Sequence, residues 1–131
     1  MEFIYGLVNL YRQPKGCAAT IGNFDGVHLG HRLVLEQLKE TAERFNLIST
    51  VLIFEPQPME YFNSKSSPSR LTRLREKLQQ FGNYNIDRVV CLKFNQELAN
   101  LSALDFVDNI LLKGLSAQKI LVGDDFRFAR K

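Results

Sequence analysis

The chain has 131 residues, of which 45% are hydrophobic and 24% charged, and its formal net charge is +3. These values are those of an ordinary folded protein and exclude a disordered or collagen-like chain. The length suits one domain with its own core, and the modest charge favours small anionic ligands over nucleic acid, which calls for a stronger basic surface.

The first half of the chain alternates between strand-like and helix-like patterns. Residues 18–24, Ala-Ala-Thr-Ile-Gly-Asn-Phe, predict a buried strand. Apolar residues then recur at helical spacing from Leu29 to Phe45, which predicts a helix that buries one face. Residues 49–55 predict a second strand, which Pro56 and Pro58 end in a rigid loop.

The second half repeats this alternation. One helical face is traced by Leu71, Leu74, Leu78 and Phe81, and it ends near Gly82 and Asn83. Residues 87–93 predict a third strand, and residues 119–122 predict a fourth. Between them, Ser102 and Asp105 have the spacing of a capping box before an amphipathic helix that begins at Ala103. This order predicts an α/β fold, a Rossmann-like three-layer sandwich with a mostly parallel sheet.

Three polar or glycine-rich segments follow predicted strands. They are residues 22–31, 56–62 and 123–130. Because the carboxyl ends of parallel strands meet at one edge of a sheet, and ligands bind at that edge, we expect the functional site to be built from these three segments.

The first of these segments contains the strongest motif, with His28 and His31 at the start of the predicted helix. Their spacing places both imidazoles on nearly the same face, beside the free N–H groups of a helix N-terminus. This arrangement predicts a phosphate site suited to nucleotidyl transfer, and Gly30 lets a nucleotide approach the helix start. A structural role for a single histidine is the alternative, and a metal site lacks further ligands at plausible spacing.

Two further patterns bear on the compartment. Cys17 and Cys91 are widely separated and lie beside or within apolar runs, so we expect reduced structural thiols. No apolar run approaches the roughly 18 residues of a membrane-spanning helix, and the N-terminus lacks the order of a signal peptide. The expected compartment is therefore the cytoplasm, with no membrane partner.

The run from Gly22 to His31, Gly-Asn-Phe-Asp-Gly-Val-His-Leu-Gly-His, resembles the His-x-Gly-His signature of the nucleotidyltransferase superfamily. Within that superfamily the chain is similar to the FAD synthetase module of bacterial bifunctional riboflavin kinase/FAD synthetases. The similarity continues in Phe-Glu-Pro-Gln-Pro at 54–58, Leu-Arg-Glu-Lys at 74–77, Leu-Ser-Ala-Leu-Asp-Phe-Val at 101–107 and Val-Gly-Asp-Asp-Phe-Arg-Phe at 122–128. The resemblance implies transfer of AMP from ATP to FMN, giving FAD and pyrophosphate.

The resemblance also implies roles for individual residues. The implied catalytic residues, which face the ATP phosphates, are His28, His31 and Asp125. The residues implied to shape the adenine and ribose pocket are Gly22, Asn23, Phe24, Asp25, Gly26 and Gly30. The implied flavin wall consists of Pro56, Pro58 and Phe62, with Phe106 and Phe128 as further aromatic candidates, and Arg127 completes the implied binding set. Mg²⁺ is the implied cofactor, but no protein ligand for it is assigned.

Several alternatives stay open from the residues alone. Phe106 lies on the apolar stripe of its helix, so core packing competes with flavin contact. The basic residues Arg70, Arg73, Arg75 and Lys77 are interpreted as a solvated helix face, with a grip on FMN or ATP phosphates as the rival. Transfer to another phosphate acceptor, or nucleotide binding without catalysis, remains an alternative function.

The resemblance also bears on the extent of the chain. We expect residues 1–131 to be one nucleotidyltransferase domain that is truncated at its C-terminus, without the family's riboflavin kinase domain. A fragment of this kind is expected to be weakly active or inactive, whereas the full-length protein is expected to be the enzyme.

Overall fold

A computed structural model describes residues 1–6, 16–22, 24, 29–55, 70–93 and 96–122, with backbone only for residues 29–31, 70–73, 97, 99 and 103. The strands are β1 (Glu2–Tyr5), β2 (Cys17–Ile21), β3 (Ile48–Phe54), β4 (Arg88–Leu92) and β5 (Ala117–Val122). The helices are α1 (Leu29–Phe45), α2 (Arg70–Asn83), α3 (Gln96–Ala99) and α4 (Ala103–Phe106), and α4 continues directly as a π-helix (Val107–Gly114).

The five strands form one parallel sheet in the order β1-β4-β3-β2-β5. The α/β prediction is therefore confirmed, and the predicted bounds of α1 agree with the structure. The strand β1 and the short helix α3 were not predicted. Four residues at a sheet edge are too few to show a clear period, and only Ile4 of β1 is buried.

Helices cover both faces of the sheet. In β3, Leu52 and Phe54 belong to one apolar cluster, which also contains residues of α4 and the π-helix. Val51 and Ile53 belong to the other cluster, which contains residues of α1 and α2. Because successive strand residues point to opposite faces, the two clusters lie on opposite sides of the sheet, which is the predicted three-layer arrangement.

A residue in the left-handed conformation precedes three of the parallel strands. These are Asn46 before β3, Asn85 before β4 and Ser116 before β5, with φ between 56° and 60°. Each follows the end of a helix, where a left-handed residue satisfies the last carbonyl groups and reverses the chain. The helix end predicted near Gly82 and Asn83 agrees with the structure, where α2 ends at Asn83, and the π-helix ends at Gly114.

The start of α4 agrees with the capping pattern in the sequence. The amide of Asp105 donates to Ser102 Oγ at 3.1 Å, and the amide of Phe106 donates to the Ser102 carbonyl at 2.9 Å. No helix in the described part of the chain is long and apolar enough to cross a membrane.

Candidate functional site

The order of strands reverses between β2 and β5. From β2 the chain moves to β3 and then to β4, and it returns to β5 on the other side of β2. Ile21, the last residue of β2, pairs with Val122, the last residue of β5, so both strands end at the same level. In doubly wound sheets this reversal opens a crevice at the carboxyl ends of the strands, where ligands bind.

The predicted site segments follow these strand ends along the chain. Residues 22–31 follow β2, residues 56–62 follow β3, and residues 123–130 follow β5. The helix α1 begins at Leu29, within the histidine motif, and has 17 residues. The backbone of Gly30 and His31 therefore belongs to the first turn of a long helix, where free amide groups attract anions.

Many of the predicted site residues lie outside the described part of the chain. These are Asn23, Asp25, Gly26, His28, Pro56, Pro58, Phe62, Asp125, Arg127 and Phe128. For His31 the structure describes the backbone but not the side chain. Their roles therefore stay predictions. The described site residues are Gly22, Phe24, Phe106 and the backbone of Gly30 and His31.

Gly22 and Phe24 form a tight structure at the end of β2. The amide of Gly22 donates to the carbonyl of Leu52 at 3.3 Å, which ties it to β3. A Cβ atom on Gly22 would lie 2.8 Å from Cε2 of Phe24, so the ring lies directly against the glycine backbone. Phe24 is buried and its φ is 54°, a conformation that is a true outlier for a bulky residue.

The ring of Phe24 also contacts α2. Its centroid lies 5.4 Å from that of Phe81, and the two ring planes are nearly perpendicular at 89°. The sequence predicted Phe81 only as part of a buried helix face. Helical spacing shows that Phe81 is buried but gives no signal for its partner 57 positions earlier in the chain.

Phe106 is buried at 4% exposure in the cluster on the opposite face of the sheet. Its ring centroid lies 6.2 Å from that of Phe54, the last residue of β3. Core packing, one of the two interpretations left open by the sequence, describes this position. Contact with a flavin stays a prediction, since Phe54 leads into the proline-containing segment.

Charged and titratable groups gather at the carboxyl ends of β1, β3 and β4. Tyr5 pairs with Cys91 in register, and the amide of Glu55 donates to the Leu92 carbonyl at 2.9 Å. Burial raises the pKa of the Cys91 thiol to about 12, and the Glu55 carboxylate adds to this rise while Lys77 opposes it. Partial burial, with Cys91 and Glu55, also raises the pKa of the Tyr5 phenol.

Lys77 itself is buried, with 6% of its surface exposed. The interpretation of the basic residues as a solvated face is therefore wrong for Lys77, whereas Arg75 is exposed as predicted. The error has a simple cause. Four basic residues along one helix suggest a face that is exposed to solvent. Lys77, however, lies one position before Leu78 and four before Phe81, on the side of α2 that faces the sheet.

An open depression of about 470 Å³ lies at the opposite edge of the sheet. Its lining residues include Met1 and Asp87, which precede β1 and β4, and Gly82 and Asn85 near the end of α2. We assign no role to it, because ligands of parallel α/β sheets bind at the carboxyl edge. Within the described residues there is no group of three or more His, Cys, Asp or Glu side chains that could hold a metal ion.

Comparison with known proteins shows the family to which the chain is related. The sequence model of a family described as "FAD synthetase" matches residues 10–131. The chain belongs to the FAD synthetase family. Similar proteins include the bifunctional riboflavin kinase/FMN adenylyltransferases of Pseudomonas fluorescens, 50% identical over 98% of this chain, and Escherichia coli K12, 47% identical over 98%. That of Haemophilus influenzae is 45% identical over the whole chain.

The chain spans only part of these relatives. It covers 41% of the Pseudomonas and Escherichia proteins and 42% of the Haemophilus protein. Among solved structures, one titled a macrolide-efflux protein from Streptococcus pneumoniae superimposes on the whole chain with a TM-score of 0.81 and 20% sequence identity. The chain covers 52% of that structure, and at this identity the likeness concerns the fold alone.

Proposed function

We propose that this chain is a nucleotidyltransferase domain that, within the full-length protein, transfers AMP from ATP to FMN. The observation that carries the proposal is the reversal of strand order between β2 and β5, with a long helix beginning inside the histidine motif directly after β2. Membership of the FAD synthetase family supports the choice of substrates.

The proposed reaction is an in-line substitution at phosphorus. A phosphate oxygen of FMN attacks the α-phosphorus of ATP, a new P–O–P bond forms, and the bond to the β-phosphate breaks to release pyrophosphate. Such reactions depend mostly on positioning and on stabilising the negative charge that grows on the phosphoryl oxygens. The proposed contribution of His28 and His31 is to donate hydrogen bonds to these oxygens, beside the amide groups of the first turn of α1.

The other predicted residues are assigned to the two substrates. Asp125 faces the phosphates in this proposal, and the segment from Gly22 to Gly26, with Gly30, surrounds adenine and ribose. The flavin is proposed to lie against Pro56, Pro58 and Phe62, with Phe128 and Arg127 on the segment after β5 and Phe106 as a further candidate. Stacking of the flat isoalloxazine on aromatic rings favours such a wall.

Mg²⁺ is proposed to accompany the ATP phosphates, and its chemistry there is to neutralise phosphate charge. No donor set for it can be named among the described residues, so no step is assigned to it. We further propose that the remainder of the full-length protein phosphorylates riboflavin, as the names of the relatives suggest. The free thiols of Cys17 and Cys91 suit the proposed cytoplasmic location.

The test is incubation of the full-length protein with ATP, Mg²⁺ and FMN. FAD and pyrophosphate are expected in equal amounts, and unchanged FMN would reject the proposal. Replacing FMN by other phosphate acceptors, such as a pantetheine phosphate, tests the alternative of a different substrate. ATP binding without any turnover would favour a non-catalytic nucleotide-binding module.

A pair of variants on α1 sharpens this test. His31→Ala is expected to lower kcat on the order of a hundredfold to a thousandfold, as loss of a transition-state donor does. The matched control is Leu33→Ala, two residues later on the same helix, where the side chain is 57% exposed. It is expected to keep the kcat of the wild type. Equal rates for both variants would remove His31 from the proposed mechanism.

A further inference from the structure

The contact between Phe24 and Phe81 links the histidine-motif segment to a helix that contributes no residue to that motif. Both rings are buried, with 5% and 1% of their surfaces exposed. Their centroid distance of 5.4 Å and perpendicular planes are the preferred edge-to-face geometry of aromatic pairs. The position of Phe24 is therefore set by α2 as well as by its own segment.

The backbone of Phe24 needs such support. Among the described residues other than glycine, positive φ occurs at Phe24, Asn46, Asn85 and Ser116. The last three follow helices, where small polar residues often adopt this conformation. Phe24 instead lies between a strand and a helix, and a bulky side chain disfavours its φ of 54°. Strain of this kind persists only where surrounding contacts hold it, and it concentrates at functional sites.

Gly22 completes the arrangement on the other side of the ring. Any side chain there would collide with Phe24, because its Cβ would lie 2.8 Å from the ring. Gly22 is itself tied to β3 through the carbonyl of Leu52. The ring of Phe24 is thus held between the edge of the sheet and α2.

We propose that Phe81 is a positioning residue for nucleotidyl transfer, because it holds Phe24 against Gly22 and so fixes the backbone that leads into the histidine motif. The inference rests on the proposed function. Along the chain, α2 is also the next described element after residues 56–62, the segment proposed to bind the flavin. Phe81 contacts neither substrate in this proposal and acts only through Phe24.

The test is a double-mutant cycle in the full-length protein with Phe81→Leu, Phe24→Leu and the double variant. Leucine keeps an apolar side chain at each position but removes the ring-to-ring contact. FAD formation is measured at saturating ATP and FMN, well below the unfolding temperature of the least stable variant. Each single variant is expected to lower kcat about tenfold or more, since a displacement of 1 Å can cost a hundredfold. The double variant is expected to be no slower than the slower single variant.

Val89→Ala is the control, because Val89 is fully buried in the same apolar cluster but lies on β4, away from the histidine motif. It is expected to lower the unfolding temperature and to keep the wild-type kcat. Should Phe81→Leu fail to fold by circular dichroism, Phe81→Met takes its place, since the flexible methionine side chain fills irregular space.

The outcomes separate the two proposals. A wild-type protein that forms no FAD rejects the proposed function, and this inference falls with it. An active wild type with unchanged kcat in Phe81→Leu rejects the inference alone. Independent, multiplying effects of the two single variants on kcat would also overturn it, because Phe81 would then not act through Phe24.

Discussion

Arg88 donates a hydrogen bond from Nε to the hydroxyl oxygen of Thr50 at 3.1 Å, across the pairing of β4 with β3, and both residues are fully buried. Its Nη2 also donates to the carbonyl of Leu115 at 3.4 Å, just beyond the π-helix. A cation is favourable near the C-terminus of a helix, where carbonyl groups carry partial negative charge. Arg88 therefore connects the sheet with the helical layer on that face.

We expect Thr50→Val to destabilise the protein. The change keeps the size of the side chain but removes the acceptor for Arg88 Nε, so a buried charged group loses a hydrogen bond. A loss of about 1–3 kcal/mol in the free energy of unfolding is expected. Denaturation with urea, followed by circular dichroism, measures it.

Thr20→Val is the matched control, on the neighbouring strand β2. Thr20 is also fully buried, but its hydroxyl has no hydrogen-bond partner among the described residues. Removal of an unsatisfied buried hydroxyl costs nothing in hydrogen bonds, so stability is expected to stay equal or to rise. A larger loss for Thr20→Val than for Thr50→Val would contradict this account of both sites.

These buried polar groups show which features of the fold could be predicted from the sequence and which could not. The period of apolar residues predicted α1 and α2 well, because burial of one helical face repeats along many residues. It could not predict that Arg88 is buried, since a charged residue at the start of a strand is usually solvated. The same limit explains the error at Lys77.

For the candidate site, too, some features could be predicted from the sequence and others could not. Local order along the chain was enough to expect that the segments after β2, β3 and β5 follow one edge of the sheet. The left-handed backbone of Phe24 and its contact with Phe81 could not be predicted, because both depend on tertiary packing between distant residues. The predicted strand over residues 18–24 included Phe24, whereas β2 ends at Ile21 and Phe24 has positive φ.

The chain reversal at Asn46 offers a test of backbone strain. Asn46 is exposed and has a φ of 56° between α1 and β3. We expect Asn46→Ala to lower the free energy of unfolding by about 1 kcal/mol, because alanine tolerates this conformation poorly. Asn46→Gly is expected to be as stable as the wild type or slightly more stable, since glycine adopts it readily. Thermal unfolding of both variants decides, and equal losses would contradict the argument.

The capping residue of α4 offers a second local test. Ser102 Oγ accepts a hydrogen bond from the amide of Asp105 at 3.1 Å. Ser102→Ala is expected to cost about 0.5–2 kcal/mol of stability, because one amide of the first helical turn loses its partner. Ser102→Asp keeps an acceptor at this position and is expected to retain most of the wild-type stability. If alanine and aspartate behave alike in urea denaturation, the cap contributes little.

The buried thiol of Cys91 predicts how stability depends on alkaline pH. Its pKa rises from the ordinary 9.0 to about 12 in the folded state, chiefly through burial. The folded protein therefore keeps a proton that the unfolded chain releases above pH 9. The resulting stability is fully present below pH 9 and is lost progressively as the pH rises towards 12. Between pH 8 and pH 10.5 this group alone is expected to lower the free energy of unfolding by about 2 kcal/mol.

The variant Cys91→Ala tests this, because it lacks the titrating group. At pH 8 the cavity makes the variant less stable than the wild type, and the urea midpoint of the wild type is expected to fall towards that of the variant as the pH rises to 10.5. A constant difference between them would show that the thiol does not titrate with folding.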